Sequence, residues 1–263
     1  MDNAEFREWA HKLADTMADY YENIETYPVK PKVKPGDILA QLPLLPPGKG
    51  EPMSKIMSDF NSIIMPGITH WQSPDFFAYF PANGSYPSIL AEMLTAALGA
   101  QCMVWDTSPA AAELEEMMMN WLKTMTGLPD TWHGVIQDTA STSTLAALLS
   151  ARERVTGYEI NESGFSGNEK LRVYCSTETH SSVEKAAKIA GLGRKNLVKI
   201  ATDKHYRLEA GLLVNAINND IKSGYKPLCV VATLGTTGCT AIDPLKEIAA
   251  ACTDAPRNRN AAD

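Results

Sequence analysis

Three short runs of this 263-residue chain carry residue types able to hold a phosphate-bearing ligand: Thr139-Ala140-Ser141, Thr179-His180-Ser181-Ser182 and Gly235-Thr236-Thr237-Gly238. In the first, a short apolar strand end (Val135, Ile136) runs into small hydroxyl residues that open a helix over about 143–155. A helix N-terminus offers unpaired backbone N–H groups and the positive end of a dipole, which suits an anion. The same residues also make an ordinary Ser/Thr cap, and composition alone leaves both readings open. His180, placed just after a predicted strand, is either a functional imidazole or a structural loop histidine. Thr236 and Thr237 either cap the next turn or, framed by glycines, let backbone approach a ligand closely. The aromatic run 70–81 reads as a buried apolar loop or as a flat pocket wall for an aromatic ligand.

The elements that must position these runs alternate. Strands are predicted over 171–176, 197–202 and 228–234, and helices over 182–190, 209–223 and 243–252. Apolar runs of about six residues alternating with helices imply a mostly parallel sheet with helices on both faces. In such sheets ligands sit beyond the carboxyl ends of the strands. All three runs fall at that edge. Upstream, Phe6, Trp9, Leu13, Met17 and Tyr20 mark an amphipathic helix over 4–23, suited to packing, including against a partner subunit. Residues 26–52 hold seven of the sixteen prolines and form extended connecting chain. Helices are expected over 54–64, 87–98 and from Ser108-Pro109 to about Met125, with Met117, Met118 and Met119 as core filler. Residues 256–263 have no apolar period, and the chain reads as cut off mid-fold.

Bulk properties narrow the function. A net charge of −7 argues against nucleic-acid binding, which needs a basic face. No apolar run approaches a membrane span, and no signal peptide is visible. Five cysteines without a C-x-x-C pair point to reduced, mostly buried thiols in a cytoplasmic protein. The five histidines show no zinc spacing, and no G-x-S-x-G elbow is present. Gly191-Leu192-Gly193 does not complete a dinucleotide fingerprint.

Six motifs carry a resemblance. They are residues 65–71 (MPGITHW), 77–81 (FAYFP), Ser108-Pro109 with Glu113-Leu114-Glu115, Val135-Ile136-Gln137 with Thr139-Ala140-Ser141, His180-Ser181-Ser182-Val183, and 232–237 (ATLGTT). In these the chain resembles the N-terminal half of a group II pyridoxal-phosphate-dependent amino acid decarboxylase, in the aromatic-L-amino-acid (DOPA/tryptophan) branch. The resemblance implies an α/β fold of the PLP-transferase (aspartate aminotransferase) type. It divides the chain into an N-terminal helical dimerisation segment (1–85), an incomplete PLP-binding domain (86–255) and a non-family tail (256–263).

By the same resemblance, Thr139, Ala140 and Ser141 hold the cofactor phosphate and His180 stacks on the pyridine ring near the substrate carboxylate. Thr237 lies near the cofactor's phenolic oxygen. Trp71, Tyr79, Phe80 and Pro81 line the pocket for an aromatic side chain, and Gln101 and Met103 reach it across a homodimer interface. The implied activity is decarboxylation of DOPA, tryptophan or tyrosine to the amine. An aldehyde-forming member of the family, or a non-catalytic subunit that pairs with a full-length partner, are the alternatives.

There are departures from the family pattern. A strand bearing His-Val-Asp and a lysine after a histidine do not occur in these 263 residues. The chain alone is therefore expected to be inactive. His11-Lys12 lies in the first helix and does not replace that lysine. Asp138 stands beside the phosphate run, and Ala82 and Gln101 bear on side-chain specificity.

Overall fold

The computed structural model describes residues 1–81 and 84–254, so the tail 256–263 and Ala82 lie outside the described residues. The chain divides into two compact units, Met1–Gly99 and a second beginning at Ala100.

In the first unit, helix α1 (Asn3–Glu22) starts where Asp2 accepts the N–H groups of Ala4 and Glu5 at 2.9 and 2.8 Å. This is side-chain capping of otherwise unpaired donors. Its predicted stripe (Trp9, Leu13, Met17, Tyr20) is half-buried, while Phe6 is exposed. The proline-rich stretch makes only short 3-10 turns, at Ile24–Thr26 and Leu39–Gln41. The helix expected over 54–64 is α2 (Met53–Asp59), which widens into a π turn, Phe60–Ile64, ahead of Pro66. Helix α3 (Tyr86–Leu98) has a reciprocal Ser85–Ser88 capping box and ends on Gly99 at φ +58°.

In the second unit, α4 (Pro109–Met125) begins at Ser108, whose side chain makes no capping bond. None of its residues is buried: Met117 is exposed, and Met118 and Met119 are half-buried. The methionine run is thus not core; Met119 instead lies against Gly134, where an added Cβ would come within 3.0 Å of its sulfur. Val135 and Ile136 do not form a strand end. Both are exposed, and the Ile136 N–H goes to the Glu115 carboxylate at 2.9 Å rather than to a sheet partner.

Helices α5 (Ala140–Thr156) and α6 (Glu159–Ser163) lead into the alternating region: β1 (Leu171–Ser176), α7 (Ser181–Ile189), β2 (Leu197–Ile200), α8 (Ala210–Lys222), β3 (Lys226–Val231) and α9 (Leu245–Asp254). The strands form a parallel sheet in the order β2-β1-β3, with Val173 opposite Leu197 and Cys229. β2 and β3 stop short of their predicted ends because Thr202 and Leu234 turn back into isolated antiparallel bridges with Leu208 and Ile242.

Side-chain alternation along β1 feeds two cores. Leu171, Val173 and Cys175 pack with Leu148 of α5 and Val183 and Ala186 of α7. Tyr174 packs with Leu213 and Ile217 of α8 and Ile248 and Ala251 of α9. Each such fully buried aliphatic contributes roughly 1.5–3 kcal/mol relative to exposure. Tyr174 is fully buried, and its hydroxyl donates to Asp220 at 2.9 Å. Burial and the neighbouring carboxylate both push that hydroxyl's pKa upward.

Candidate functional site

The helix predicted from 143 begins three residues earlier, and that changes the chemistry of its first turn. Thr139 is extended, at φ −146° and ψ 159°, and its Oγ1 accepts the N–H of Thr142 at 3.1 Å. Its carbonyl accepts the N–H of Ser143 at 3.0 Å. A helix start leaves four N–H groups without intrahelical partners. Here the cap takes the later donors, and the N–H groups of Ala140 and Ser141 remain directed off the end of α5. Thr139, Ala140 and Ser141 are all exposed, as is Asp138. Thr139 thus makes the ordinary cap, and Ala140 and Ser141 are the first two helical residues, at the positive end of α5.

His180 forms the N-cap of α7. Its Nδ1 accepts the backbone N–H of Ser182 at 3.2 Å and lies 2.9 Å from the Ser182 hydroxyl. An amide N–H can only donate, so Nδ1 is the acceptor and the neutral ring carries its proton on Nε2. Ser182 is buried beneath, while the imidazole is exposed. Ser176, at the end of β1 and fully buried, lies 3.2 Å from the Thr179 hydroxyl and accepts the Glu178 N–H at 3.2 Å. Strand end, loop and helix start are thus knitted together.

Helices α5 and α7 lie side by side. Arg152, in the last part of α5, donates from Nη1 to the carbonyl of Ala190 at the C-terminus of α7, at 2.8 Å. Leu148 shares a core with Val183 and Ala186. With their C-terminal ends joined, the helices run in the same direction. Their N-termini, bearing Thr139-Ala140-Ser141 and His180, face the same edge, where β1 ends.

The third run hangs from β3. Thr236 is fully buried, and its Oγ1 accepts the Ala241 N–H at 3.0 Å and lies 2.9 Å from Cys239 Sγ. It serves as the turn cap, and the exposed neighbour Thr237 is left at the tip. Gly235 takes φ +89°, open to glycine without penalty. Thr240, β-branched, is held at φ +57° by a 2.8 Å bond from its N–H to the Thr236 carbonyl. Cys239 Sγ also lies 4.0 Å from the Glu178 carboxylate, so the His180 and Thr237 loops touch. Asp243, 1% exposed, closes the loop base by accepting the N–H groups of Leu208 and Thr233, each at 2.8 Å. Neither Cys239 nor Asp243 stood out in the sequence. An acidic residue enclosed by Ala241, Ile242 and Pro244 was the available signal for Asp243.

The aromatic run belongs to the first unit. It is not a buried loop: Trp71 is 43% exposed, and Phe77, Tyr79 and Phe80 more so. Trp71 stacks on Phe76 at 4.7 Å and on Tyr79 at 5.6 Å, with an interplanar angle of 15° for the second pair. Tyr79 takes φ +60°, and Pro81 is exposed. The buried members are His70 and Ser73. Gln101 and Met103, both exposed, fall in the second unit, and the Gln101 carbonyl accepts the Thr107 hydroxyl at 2.6 Å. Thr139, Ala140, Ser141, His180 and Thr237 all lie in the second unit, at the carboxyl edge of its sheet.

All five cysteines are free thiols; Cys175 is buried, Cys229 and Cys239 are half-buried, and Cys102 and Cys252 are exposed, fewer buried than expected. Among the described residues, no helix is long and apolar enough to cross a membrane.

Comparison with known proteins places this edge in context. Residues 35–258 match the pyridoxal-dependent decarboxylase conserved domain. The chain is 45% identical to a histidine decarboxylase of Drosophila melanogaster, over 97% of its own length and 31% of that protein. It is 40% identical to a phenylacetaldehyde synthase of Arabidopsis thaliana, over 93% of its length and 51% of that protein. The crystal structure of Catharanthus roseus tryptophan decarboxylase in complex with L-tryptophan superposes with a TM-score of 0.90 at 38% identity, covering 97% of this chain and 56% of that one. The chain thus spans about half the length, or less, of these relatives. It has the fold of the N-terminal half of such enzymes, and it belongs to the pyridoxal-dependent decarboxylase family.

Proposed function

We propose that this chain is part of a PLP-dependent carboxy-lyase, a cytoplasmic homodimer, that converts aromatic L-amino acids of the DOPA, tyrosine or tryptophan type to amines. The observation that carries the reading is the first turn of α5. The free N–H groups of Ala140 and Ser141 open at the edge where His180 and Thr237 are also presented. Neutral hydroxyls and N–H donors at a helix start are the donor set a phosphate needs, so these residues fit the cofactor.

When bound, pyridoxal phosphate supplies an electron-poor ring that takes up the electron pair left by departing carbon dioxide. The residues of this chain bind and orient. Thr139, Ala140 and Ser141 would hold the phosphate. His180, its tautomer set by Ser182 so that Nε2 carries the hydrogen, would pack on the ring. Thr237 would meet the phenolic oxygen. Trp71, Tyr79, Phe80 and Pro81 receive the aromatic side chain, and Gln101 and Met103 complete the pocket of the partner subunit. Holding the scissile bond in one orientation is worth several powers of ten in rate.

Carbon dioxide release by the complete enzyme from DOPA, tyrosine, tryptophan, histidine and glutamate tests the assignment. Release from glutamate alone overturns the aromatic reading. A second reading, aldehyde formation, draws on the likeness to the Arabidopsis phenylacetaldehyde synthase. Aldehyde and ammonia formed with uptake of dioxygen and release of hydrogen peroxide, instead of amine, identify it.

A further inference from the structure

Two adjacent residues of the aromatic run are inverted in exposure: His70 is 2% exposed and Trp71 43%. The His70 imidazole is held by two tyrosines. Its Nδ1 is 2.9 Å from the Tyr20 hydroxyl of α1, and the Tyr20 and Tyr27 rings lie at 5.6 and 4.8 Å. Its backbone N–H donates to the Val29 carbonyl at 3.0 Å, and its own carbonyl accepts the Ser73 N–H at 3.0 Å. Immediately beyond this anchor, Trp71 is the middle ring of the Phe76–Trp71–Tyr79 stack.

We propose that His70 is a positioning residue for Trp71, docking the aromatic wall onto α1 through Tyr20 and onto the turn that follows it through Tyr27. Its meaning for catalysis rests on the reading of Trp71 as a wall of the substrate pocket. The docking itself does not. A neutral ring suits this site. The titratable groups facing it are the two tyrosines, and the charged residues nearest in those elements (Asp19, Glu22, Glu25) are exposed. Burial holds the imidazole below its ordinary value of 6.5. The unfolded chain therefore binds the proton first. The docking contribution is complete above pH 6.5 and is lost as pH falls through the depressed folded value.

The test uses the chain labelled with 5-fluorotryptophan, with the Trp71 fluorine line assigned by Trp71→Phe. In the native sequence this line should shift on acidification with a midpoint below 6.5. Tyr20→Phe keeps the ring and the burial but removes the hydroxyl that Nδ1 meets, and should move the line at neutral pH. His70→Gln should abolish the titration. A Trp71 line that titrates unchanged in His70→Gln, or a Tyr20→Phe spectrum identical to the native one, overturns the proposal. If His70→Gln does not fold, the Tyr20→Phe comparison decides. Neither measurement uses cofactor or substrate, so failure of the complete enzyme to act on aromatic amino acids would remove the pocket reading and leave this result standing.

Discussion

The Asp243 carboxylate accepts the backbone N–H of Leu208 at 2.8 Å, and so ties the turn after β2 to the segment after β3, two strands that are not neighbours in the sheet. Its other oxygen takes the N–H of Thr233. Asp243→Ala leaves two donors unpaired in a site that is almost fully enclosed. Bonds to a charged acceptor are worth about 1.5–3 kcal/mol each, so a loss of about 3 kcal/mol is expected in urea unfolding. A change below about 1 kcal/mol would show that water replaces the carboxylate without penalty.

The first turn of α5 should respond to charge rather than size. Ser141→Asp places a carboxylate where the proposed function puts the phosphate, whereas Ser141→Ala only removes a hydroxyl. Titration of the purified chain with pyridoxal 5′-phosphate, followed by absorbance, should show at least a tenfold weaker affinity for the aspartate variant, corresponding to about 1.4 kcal/mol. Equal affinities would place the phosphate elsewhere.

Thiol labelling should separate the cysteines by environment. Burial pushes the Cys229 thiol up to about 12 and raises that of Cys175. At pH 8 the Cys229 thiolate is then roughly one part in ten thousand, against about one in four for an ordinary thiol. Iodoacetamide followed by peptide mass spectrometry should find exposed Cys102 modified first and Cys229 last. Early modification of Cys229 would mean that the strand opens readily.

The turn ahead of β1 carries a pH signature. Glu169 accepts the N–H groups of Ser166 and Gly167 and the Ser166 hydroxyl at 2.8 to 3.0 Å, which holds its carboxyl at about 2 instead of 4.5. The folded group is the stronger acid. Its contribution is complete above pH 4.5 and disappears as pH falls toward 2. Carbon-13 titration of the side chain should give a midpoint near the lower value, and Glu169→Gln should remove that part of the acid dependence. A midpoint at 4.5 would mean the turn is not formed in solution.

Which parts of this structure could be read beforehand follows from the range of the forces involved. β1 is legible to the residue because Leu171, Val173, Tyr174 and Cys175, between Lys170 and Thr177, form a short apolar run with β-branched and aromatic members that is buried on both faces. The position of His180 followed from the strand before it. The sequence places the start of α5 too late because Thr139, Ala140 and Ser141 read together as a cap, whereas one threonine caps and the other two are already helical. The pair Val135-Ile136 misled because local apolarity says nothing about whether a neighbouring strand is present to receive it. The Asp243 staple and the Cys239–Glu178 contact join residues 35 and 61 positions apart, and no local pattern encodes them.

The cap on α7 has a consequence for how this site can change. His180 takes its tautomer from Ser182, two residues away, and its loop is pinned to Ser176 at the end of the same strand. The imidazole's orientation is therefore a property of seven consecutive residues. Neighbouring loops can lengthen, shorten or exchange residues to suit a different side chain while the ring stays in place. If the proposed function holds, a lineage can explore new substrates around a histidine it never has to rebuild.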